Sequence, residues 1–426
     1  MIARLMCSLI TIVMLTVACG YSVNGEEQSL GSGIIYMADD PKQWHSITAE
    51  GSHKELFNAA RFGVRPKLKW SPDATKLLIG SSGSVYTSTL RMQSEGEPPF
   101  LLLPQGYLAA DKPSWSPDSE RVVVTARFWH DMAVDRPRGG TSNSPDWRTA
   151  LLMVNADGSN LRQIAGPYVL NDNMSTFGYG VESGGWSPDG SRLVYWTTEW
   201  RHRLYGCNVP WSPVVVPEVE YCPYMFWRSR VYLMDGEGVS RQLILNVDGL
   251  IETLSWSPDG EWFLLSMRRD DDEVIREHSV LYRMRSDGTD LQQLTHPNHP
   301  THVDESPALS PDGSTLWFLS NRSEGCEARG SFQCRWLSNR HVYVMKADGS
   351  ETTAVTEEEG SKITRVYWSP DSQYLASNSY EAGCWKIFLH HIESSTKNDL
   401  GCLGTLVAWL EPQALDGVHT WFHDPS

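Results

Sequence analysis

The chain has 426 residues and a formal net charge of −16, from 52 acidic and 36 basic side chains. This acidity argues against nucleic acid as a partner and against anionic lipid as the main ligand, since both require clustered Lys and Arg. The 34 Gly, 24 Pro and 18 Trp residues favour many short strands joined by turns over long helices.

Residues 1–18 have the pattern of an export signal. Arg4 supplies a positive charge, and the uncharged apolar run that follows is too short to span a bilayer but fits a signal peptide. No later segment of the sequence is apolar over the length that a membrane span needs. We therefore expect the mature chain to be exported.

The residues around Cys19 indicate how this signal is processed. Thr16-Val17-Ala18-Cys19 resembles a bacterial lipobox, although Thr16 stands where that pattern favours Leu. The resemblance implies lipidation of Cys19, with residues 19–32 as a flexible polar tether. The expected location is the periplasm or the cell surface, with the lipid anchor as the only membrane contact. Cleavage of an ordinary secretory signal after Ala18 is the alternative.

A repeated motif dominates residues 33–426. Trp-Ser-Pro-Asp occurs five times, and a sixth copy has Leu in the first place, so that the motifs begin at Trp70, Trp115, Trp186, Trp256, Leu309 and Trp368. An apolar run with the composition of a β-strand follows each motif, and further strand signals and turns, several of them Asp-Gly, complete the unit. Pro ends strand pairing and Asp makes a tight turn, so each unit is predicted to contain four short strands.

These motifs resemble the TolB-type propeller repeat, a relative of the WD-type repeat, most closely over residues 304–322. The resemblance implies an all-β fold in which residues 33–426 form a single β-propeller of four-stranded blades. It is specific for fold and uninformative about activity, because propellers carry many functions. The repeated Trp side chains are expected to pack between neighbouring blades.

The two ends of the propeller determine the number of blades. Residues 34–48 have the pattern of the last two strands of a blade, and residues 406–422 have the pattern of the first two. Pairing of these terminal strands would complete a seventh blade, close the ring and remove exposed sheet edges. We therefore favour seven blades, with six as the alternative.

Long insertions between the second and third strands are predicted at 127–148, 197–229, 268–278 and 321–340. Because neighbouring strands alternate in direction, these insertions should share one rim, opposite the short Asp-Gly turns. The rim is rich in aromatic residues suited to protein or sugar recognition, with Arg201 and Arg203 close by: Trp129, Trp147, Trp200, Trp211, Trp227 and Trp336. Tolerated drift in loop length is the alternative explanation.

Six cysteines remain in the mature chain after Cys19, as three local pairs in sequence order. Export to an oxidising compartment favours disulfides over zinc, which remains the alternative although no Cys-x-x-Cys spacing occurs. The predicted disulfides are Cys207–Cys222, Cys326–Cys334 and Cys384–Cys402.

One cluster has the residue types of a metal site. His296, His299, His302 and Asp304 lie within nine residues and could bind a metal ion at the mouth of the channel. Oligogalacturonate lyases resemble this layout, with a metal in a propeller. The sequence contains no G-x-S-x-G nucleophile motif and no recognised phosphate-binding loop.

The predicted function is therefore that of a non-catalytic, lipid-anchored binding module or scaffold on the extracytoplasmic face. It would recognise a protein or an envelope polysaccharide through the insertion-bearing rim, with no catalytic residue and no cofactor. The alternative function is that of a metal-dependent, polysaccharide-active propeller enzyme of the lyase type.

Overall fold

A computed structural model describes most of the repeat region. The described residues are 33–37, 43–48, 53–58, 67–73, 75–80, 89–94, 97–104, 106–109, 113–129, 147–168, 176–205, 222–269, 279–296, 302–322, 340–356, 362–381 and 383–410. They form strands and turns without a helix, so the all-β prediction is confirmed. The predicted signal, Cys19 and the tether lie outside this part of the chain.

The strands of the first half of the chain are β1 (Gly33–Met37), β2 (Gln43–Thr48), β3 (His53–Asn58), β4 (Lys67–Trp70), β5 (Lys76–Gly80), β6 (Leu90–Ser94), β7 (Phe100–Leu101), β8 (Tyr107–Ala109), β9 (Ser114–Trp115), β10 (Arg121–Trp129), β11 (Trp147–Asn155), β12 (Arg162–Tyr168), β13 (Thr176–Trp186) and β14 (Arg192–Tyr205).

The strands of the second half are β15 (Cys222–Asp235), β16 (Arg241–Trp256), β17 (Trp262–Arg269), β18 (Val280–Arg285), β19 (Gln292–Gln293), β20 (Asp304–Leu309), β21 (Thr315–Ser320), β22 (His341–Lys346), β23 (Thr353–Ala354), β24 (Lys362–Trp368), β25 (Tyr374–Glu381), β26 (Cys384–His391), β27 (Thr396–Asp399) and β28 (Thr405–Leu410).

Antiparallel pairing groups these strands into repeated units, each with one motif at the end of its first strand. Unit 1 is β4–β7, unit 2 is β8–β12 with β8 and β9 both on β10, unit 5 is β20–β23 and unit 6 is β24–β27. Units 3 and 4 form one seven-stranded sheet, β13–β19, because β16 belongs to both. The first half of β16 pairs with β15 as the outer strand of unit 3. The second half of β16 pairs with β17 as the inner strand of unit 4.

Consecutive units pack face to face through apolar side chains. Val123 and Leu151 of unit 2 share a buried cluster with Leu193 of unit 3, and similar clusters join units 1 and 2, 3 and 4, 4 and 5, and 5 and 6. Burial of such faces between stacked sheets is what holds repeat proteins together. The arrangement is propeller-like, as the repeats predict.

Three of the motif Trp residues link their unit to the one before it by a hydrogen bond. The indole N–H of Trp115 donates to the carbonyl of Lys69 (3.2 Å), and that of Trp256 donates to Gly185 (3.1 Å). Trp368 does the same to Ala308 (3.1 Å). In all three cases the acceptor is the residue just before the motif of the preceding unit, so packing of these Trp residues between units is confirmed.

The sheet formed by the two chain ends differs from the expected division of strands. β28 pairs with β1, and the order is β28-β1-β2-β3, so one C-terminal strand joins three N-terminal strands. Two strands from each end were expected, and this division is wrong. β1 occupies the position expected for the second of the two strands predicted within residues 406–422. Residues 411–422 lie outside the described part of the chain.

The motif turns are held by a repeated hydrogen-bond pattern. The hydroxyl of Ser187 donates to Asp189 Oδ1 (2.5 Å) and accepts the backbone N–H of Arg192 (2.9 Å), and five other motifs repeat these contacts. Asp189 also accepts the N–H and the hydroxyl of Ser191. These hydrogen bonds lower the pKa of Asp189 to about 2, and the bond from Ser187 has the largest effect.

Replacing Ser187 by Ala should raise the pKa of Asp189 towards its ordinary value of 3.8, which carbon-detected NMR titration would measure. Since the folded pKa is depressed, Asp189 stabilises the fold above about pH 4, and this contribution is lost as pH falls through about 2. The substitution should therefore lower thermal stability more at neutral pH than at pH 2. Ser257→Ala, the matched change in unit 4, should leave the pKa of Asp189 unchanged. An Asp189 titration identical in Ser187→Ala and wild type would contradict this account.

Candidate functional site

Each unit has two ends with different character. The motif turn and the turn after the third strand lie at one end, here called the turn side. The segments between second and third strands, and the connections between units, lie at the opposite end, the insertion side. The predicted binding rim belongs to the insertion side.

A long hairpin extends the insertion side of unit 3. β14 and β15 pair without interruption from Arg192↔Asp235 to Tyr205↔Cys222, whereas the neighbouring strand β13 reaches only Thr176, opposite Arg201. Four further residues of β14 therefore continue beyond β13, which is roughly 13 Å at the rise of an extended strand. Residues 197–205 and 222–229 were expected in a loop, and the structure places them in paired strands.

Four of the six predicted rim Trp residues lie on strands. Trp129 is directly opposite Trp147 in the β10–β11 register, and Trp200 is opposite Trp227 in β14–β15. Aromatic residues at such positions are the strongest cross-strand pairs in a sheet. Trp227 is half-buried. Trp211 and Trp336 lie outside the described residues.

Ion pairs support the base of this hairpin. Arg230 Nη1 lies 3.1 Å from the buried carboxylate of Glu199, and Arg228 Nη2 lies 2.7 Å from Asp248 Oδ1. The pairs connect β14 to β15 and β15 to β16. Because paired charges fix the relative position of the strands, they orient the segment of unit 3 that extends beyond its neighbours.

Units 4 and 5 repeat one acidic position, which the TolB-type resemblance already implies as structural at Glu305. Glu252 and Glu305 each stand four residues before the first residue of a motif, and each binds an arginine of its own unit. The partners are Arg268 Nε at 3.0 Å and Arg340 Nε at 2.8 Å. Glu182 occupies the same place in unit 3. The sequence signal for this position is an acidic residue four places before a motif. It becomes visible only when the repeats are aligned on their motifs.

The predicted metal cluster is only partly described. His296 is exposed, His302 and Asp304 are buried, and His299 lies outside the described residues. The Oδ2 atom of Asp304, which is fully buried, accepts a hydrogen bond from Arg322 Nη2 at 2.7 Å. Within the described ranges no three His, Cys, Asp or Glu side chains lie close enough together to bind a metal ion. Metal binding by the four residues stays a prediction.

One predicted disulfide falls on described side chains. Cys384 and Cys402 are bonded, with their Cα atoms 5.7 Å apart, and join the start of β26 to the segment before β28. The bond therefore supports the position of β28. Cys207, Cys326 and Cys334 lie outside the described residues, and only the backbone of Cys222 is described, at the start of β15.

The turn side contains a cavity of about 520 Å³ between units 1 and 2. Lys76, Phe100 and Arg121 contribute to its wall, together with Asn155 and Asp157. A smaller cavity of about 190 Å³ lies between units 4 and 5, against Trp262 and Leu309. No binding site was predicted on the turn side. The sequence does differ there, because unit 1 has Glu-Gly-Glu-Pro-Pro at residues 95–99 where most other units have an Asp-Gly turn.

Comparison with known proteins supports the fold. The uncharacterized protein Atu1656 of Agrobacterium fabrum is 21% identical over 315 residues, which are 73% of this chain and 83% of that protein. An oligogalacturonate lyase in complex with manganese superposes with a TM-score of 0.51 and 13% identity, covering 87% of this chain and 85% of the lyase. TolB from Acinetobacter baumannii gives a TM-score of 0.41 and 14% identity, over 88% of this chain and 81% of TolB. No protein-family model matches the chain.

At these identities the comparisons establish architecture and leave activity open. The part of the chain that the structure describes contains no helix with the length and apolar character of a membrane span. The six motifs, the four-stranded units and the structural matches agree on one fold. The chain is an all-β protein with the propeller-like arrangement that its Trp-Ser-Pro-Asp repeats predicted.

Proposed function

We propose that this protein is an exported binding module, anchored by lipid at Cys19, that recognises a protein or an envelope polysaccharide through its insertion side. The proposal includes a closed ring of seven blades, the seventh being the sheet β28-β1-β2-β3. The ring would then hold the insertion side of every unit in one continuous rim.

The observation that supports this function best is the hairpin of unit 3. Strands β14 and β15 stay paired past the described end of β13, which makes the extension preorganised, and preorganisation lowers the entropic cost of binding. The ion pairs Glu199–Arg230 and Arg228–Asp248 stiffen its base. Trp and Arg residues, which dominate binding energy at protein interfaces, are concentrated along it.

Replacing Trp129 or Trp211 by Ala should weaken capture of the native envelope partner by about tenfold or more, the usual effect at an interface anchor. The measurement is the affinity of purified variants for the partner isolated from the native envelope. Val239→Ala, at an exposed position on the turn side of unit 3, is the matched control and should bind normally. Normal binding by the Trp variants, together with loss of binding by turn-side variants, would contradict the assignment.

The alternative is a metal-dependent enzyme acting on a polysaccharide. The observation that favours it is the group His296, His299, His302 and Asp304, of which His302 and Asp304 are buried and separated by one residue. Asp304 is already neutralised by Arg322, which weakens its case as a metal ligand. Elemental analysis of the purified protein separates the two functions. One tightly bound metal ion per chain, lost on replacing His302, would favour the enzyme.

A further inference from the structure

The cavity between units 1 and 2 arises from a local difference in unit 1. In units 2 to 5 an Asp-Gly turn follows the third strand, whereas unit 1 connects β6 to β7 through residues 95–99, which read Glu-Gly-Glu-Pro-Pro. The pocket of about 520 Å³ is lined by both units. This volume lies within the range that small organic ligands occupy.

Phe100 forms the apolar wall of the pocket. Its side chain is 38% exposed, and its Cε2 atom would lie 3.1 Å from a Cβ placed on Gly158 of unit 2. At the corresponding contacts of the next two units, the turn glycines Gly238 and Gly288 meet Ile164 and Ile244. Unit 1 therefore presents an aromatic ring where these neighbours have an aliphatic side chain, with part of the ring open to the pocket.

The two cations of the pocket already have partners within the protein. Lys76 Nζ donates to the Ser119 carbonyl (3.1 Å) and lies 3.4 Å from Glu120 Oε1. Arg121 donates to the Gly236 carbonyl and to Glu237 Oε1, both at 2.9 Å, and its guanidinium stacks on a Trp ring. Their positive charge is thus committed to structural contacts.

The pocket is lined by more carboxylates than cations. Glu97, Glu120 and Asp157 line it, and Glu97 has no ion-pair partner among the residues that the structure describes. The net charge of −16 adds a long-range attraction for cations. A partly exposed ring beside uncompensated carboxylates is the environment that favours an organic cation, through cation–π and charge–charge attraction together.

We propose that this pocket binds an organic ammonium or guanidinium group attached to an apolar skeleton, with Phe100 against the skeleton and Glu97 against the charge. The group belongs either to a free amine or to a basic side chain of a partner protein. The site is on the turn side and is independent of the rim assigned to the proposed function.

The test is a titration of the full mature protein with phenethylammonium. Calorimetry and ligand-detected NMR measure the binding. Phenylacetate and 2-phenylethanol, with the same ring and a negative or no charge, measure the contribution of charge. N-acetyl-lysine amide measures recognition of a protein side chain, and the tighter of the two cations identifies the source. Phe100→Ala and Glu97→Gln should each weaken cation binding about five- to tenfold. Tyr380→Ala and Glu393→Gln, exposed positions in unit 6, are the matched controls and should have no effect.

The site is supported if either cation binds saturably, if the pocket variants weaken this binding, and if Trp211→Ala preserves it. This result does not depend on whether the rim binds a partner. Absence of binding by both cations at millimolar concentration overturns the proposal. Equal binding of phenylacetate, or binding that Phe100→Ala and Glu97→Gln leave unchanged, overturns it as well.

Discussion

Deletion of residues 407–426 is expected to destabilise the whole domain. It removes most of β28, which pairs with β1 through five residue pairs and lies against β24, β25 and β26 of unit 6. The pairs of residues 408–410 are lost and those of Thr405 and Leu406 remain, so at about 1 kcal/mol for each backbone hydrogen bond the lost pairing alone costs roughly 3 kcal/mol. The edge of β1 and the adjoining face of unit 6 would also become exposed. Thermal and denaturant unfolding, followed by circular dichroism, would measure the loss.

A shorter deletion provides the control. Removing only residues 411–426 retains β28 and its pairing with β1, so the midpoint of unfolding should remain close to that of the full chain. If the two deletions destabilise the domain equally, residues 411–426 contribute a strand of their own, and the division into one C-terminal and three N-terminal strands is incorrect.

Replacement of Arg322 by Met should produce the largest effect of any single substitution considered for this chain. Arg322 Nη2 is 2.7 Å from Asp304 Oδ2, and the Asp304 side chain is completely buried. Removal of one partner from such a pair leaves a buried charge uncompensated, which costs about 3–5 kcal/mol. Met preserves much of the contact that the arginine makes with the rings of Phe318 and Tyr343, both 5.0 Å from its guanidinium. Denaturant unfolding at neutral pH would give the loss of stability.

Two variants test the cause of that loss. Arg285→Met breaks the exposed pair with Glu261, whose closest atoms are 3.9 Å apart, and should change stability by less than about 1 kcal/mol. Asp304→Asn combined with Arg322→Met removes both charges and should recover part of the stability. An Arg322→Met protein as stable as Arg285→Met would contradict a structural role for the buried pair.

The repeated core could be predicted from sequence because each signal in it is local. Pro after Trp-Ser, an Asp two residues after the Ser, and an apolar run together specify strand, turn and strand within about a dozen residues. In the structure the hydrogen bond from Ser to Asp recurs in all six motifs. The same bond therefore explains the Ser-Pro-Asp sequence at every copy.

The terminal sheet could be predicted only in outline, since β2 and β3 carry no motif and the pairing of β1 with β28 joins opposite ends of the chain. The hairpin of unit 3 was missed for a different reason. Arg201, His202 and Arg203 have the composition of a solvent-exposed loop, and only pairing with residues 224–226 makes them a strand. The turn-side cavity was not predicted, because its lining comes from two units and the segment before Phe100 departs from the Asp-Gly pattern of the repeat.

The strand β16 has an evolutionary consequence. Elsewhere between units 1 and 6, adjacent units are joined by a connection outside the strands, where insertions and deletions can accumulate without disturbing pairing. Between units 3 and 4 no such connection exists, because Asp248 still pairs with Arg228 while Gly249 already pairs with Arg269. A side chain at Gly249 would clash with the carbonyl of Arg268. One inserted residue would shift the register of both sheets at once. These two units can therefore be duplicated, exchanged or lost only as a single block.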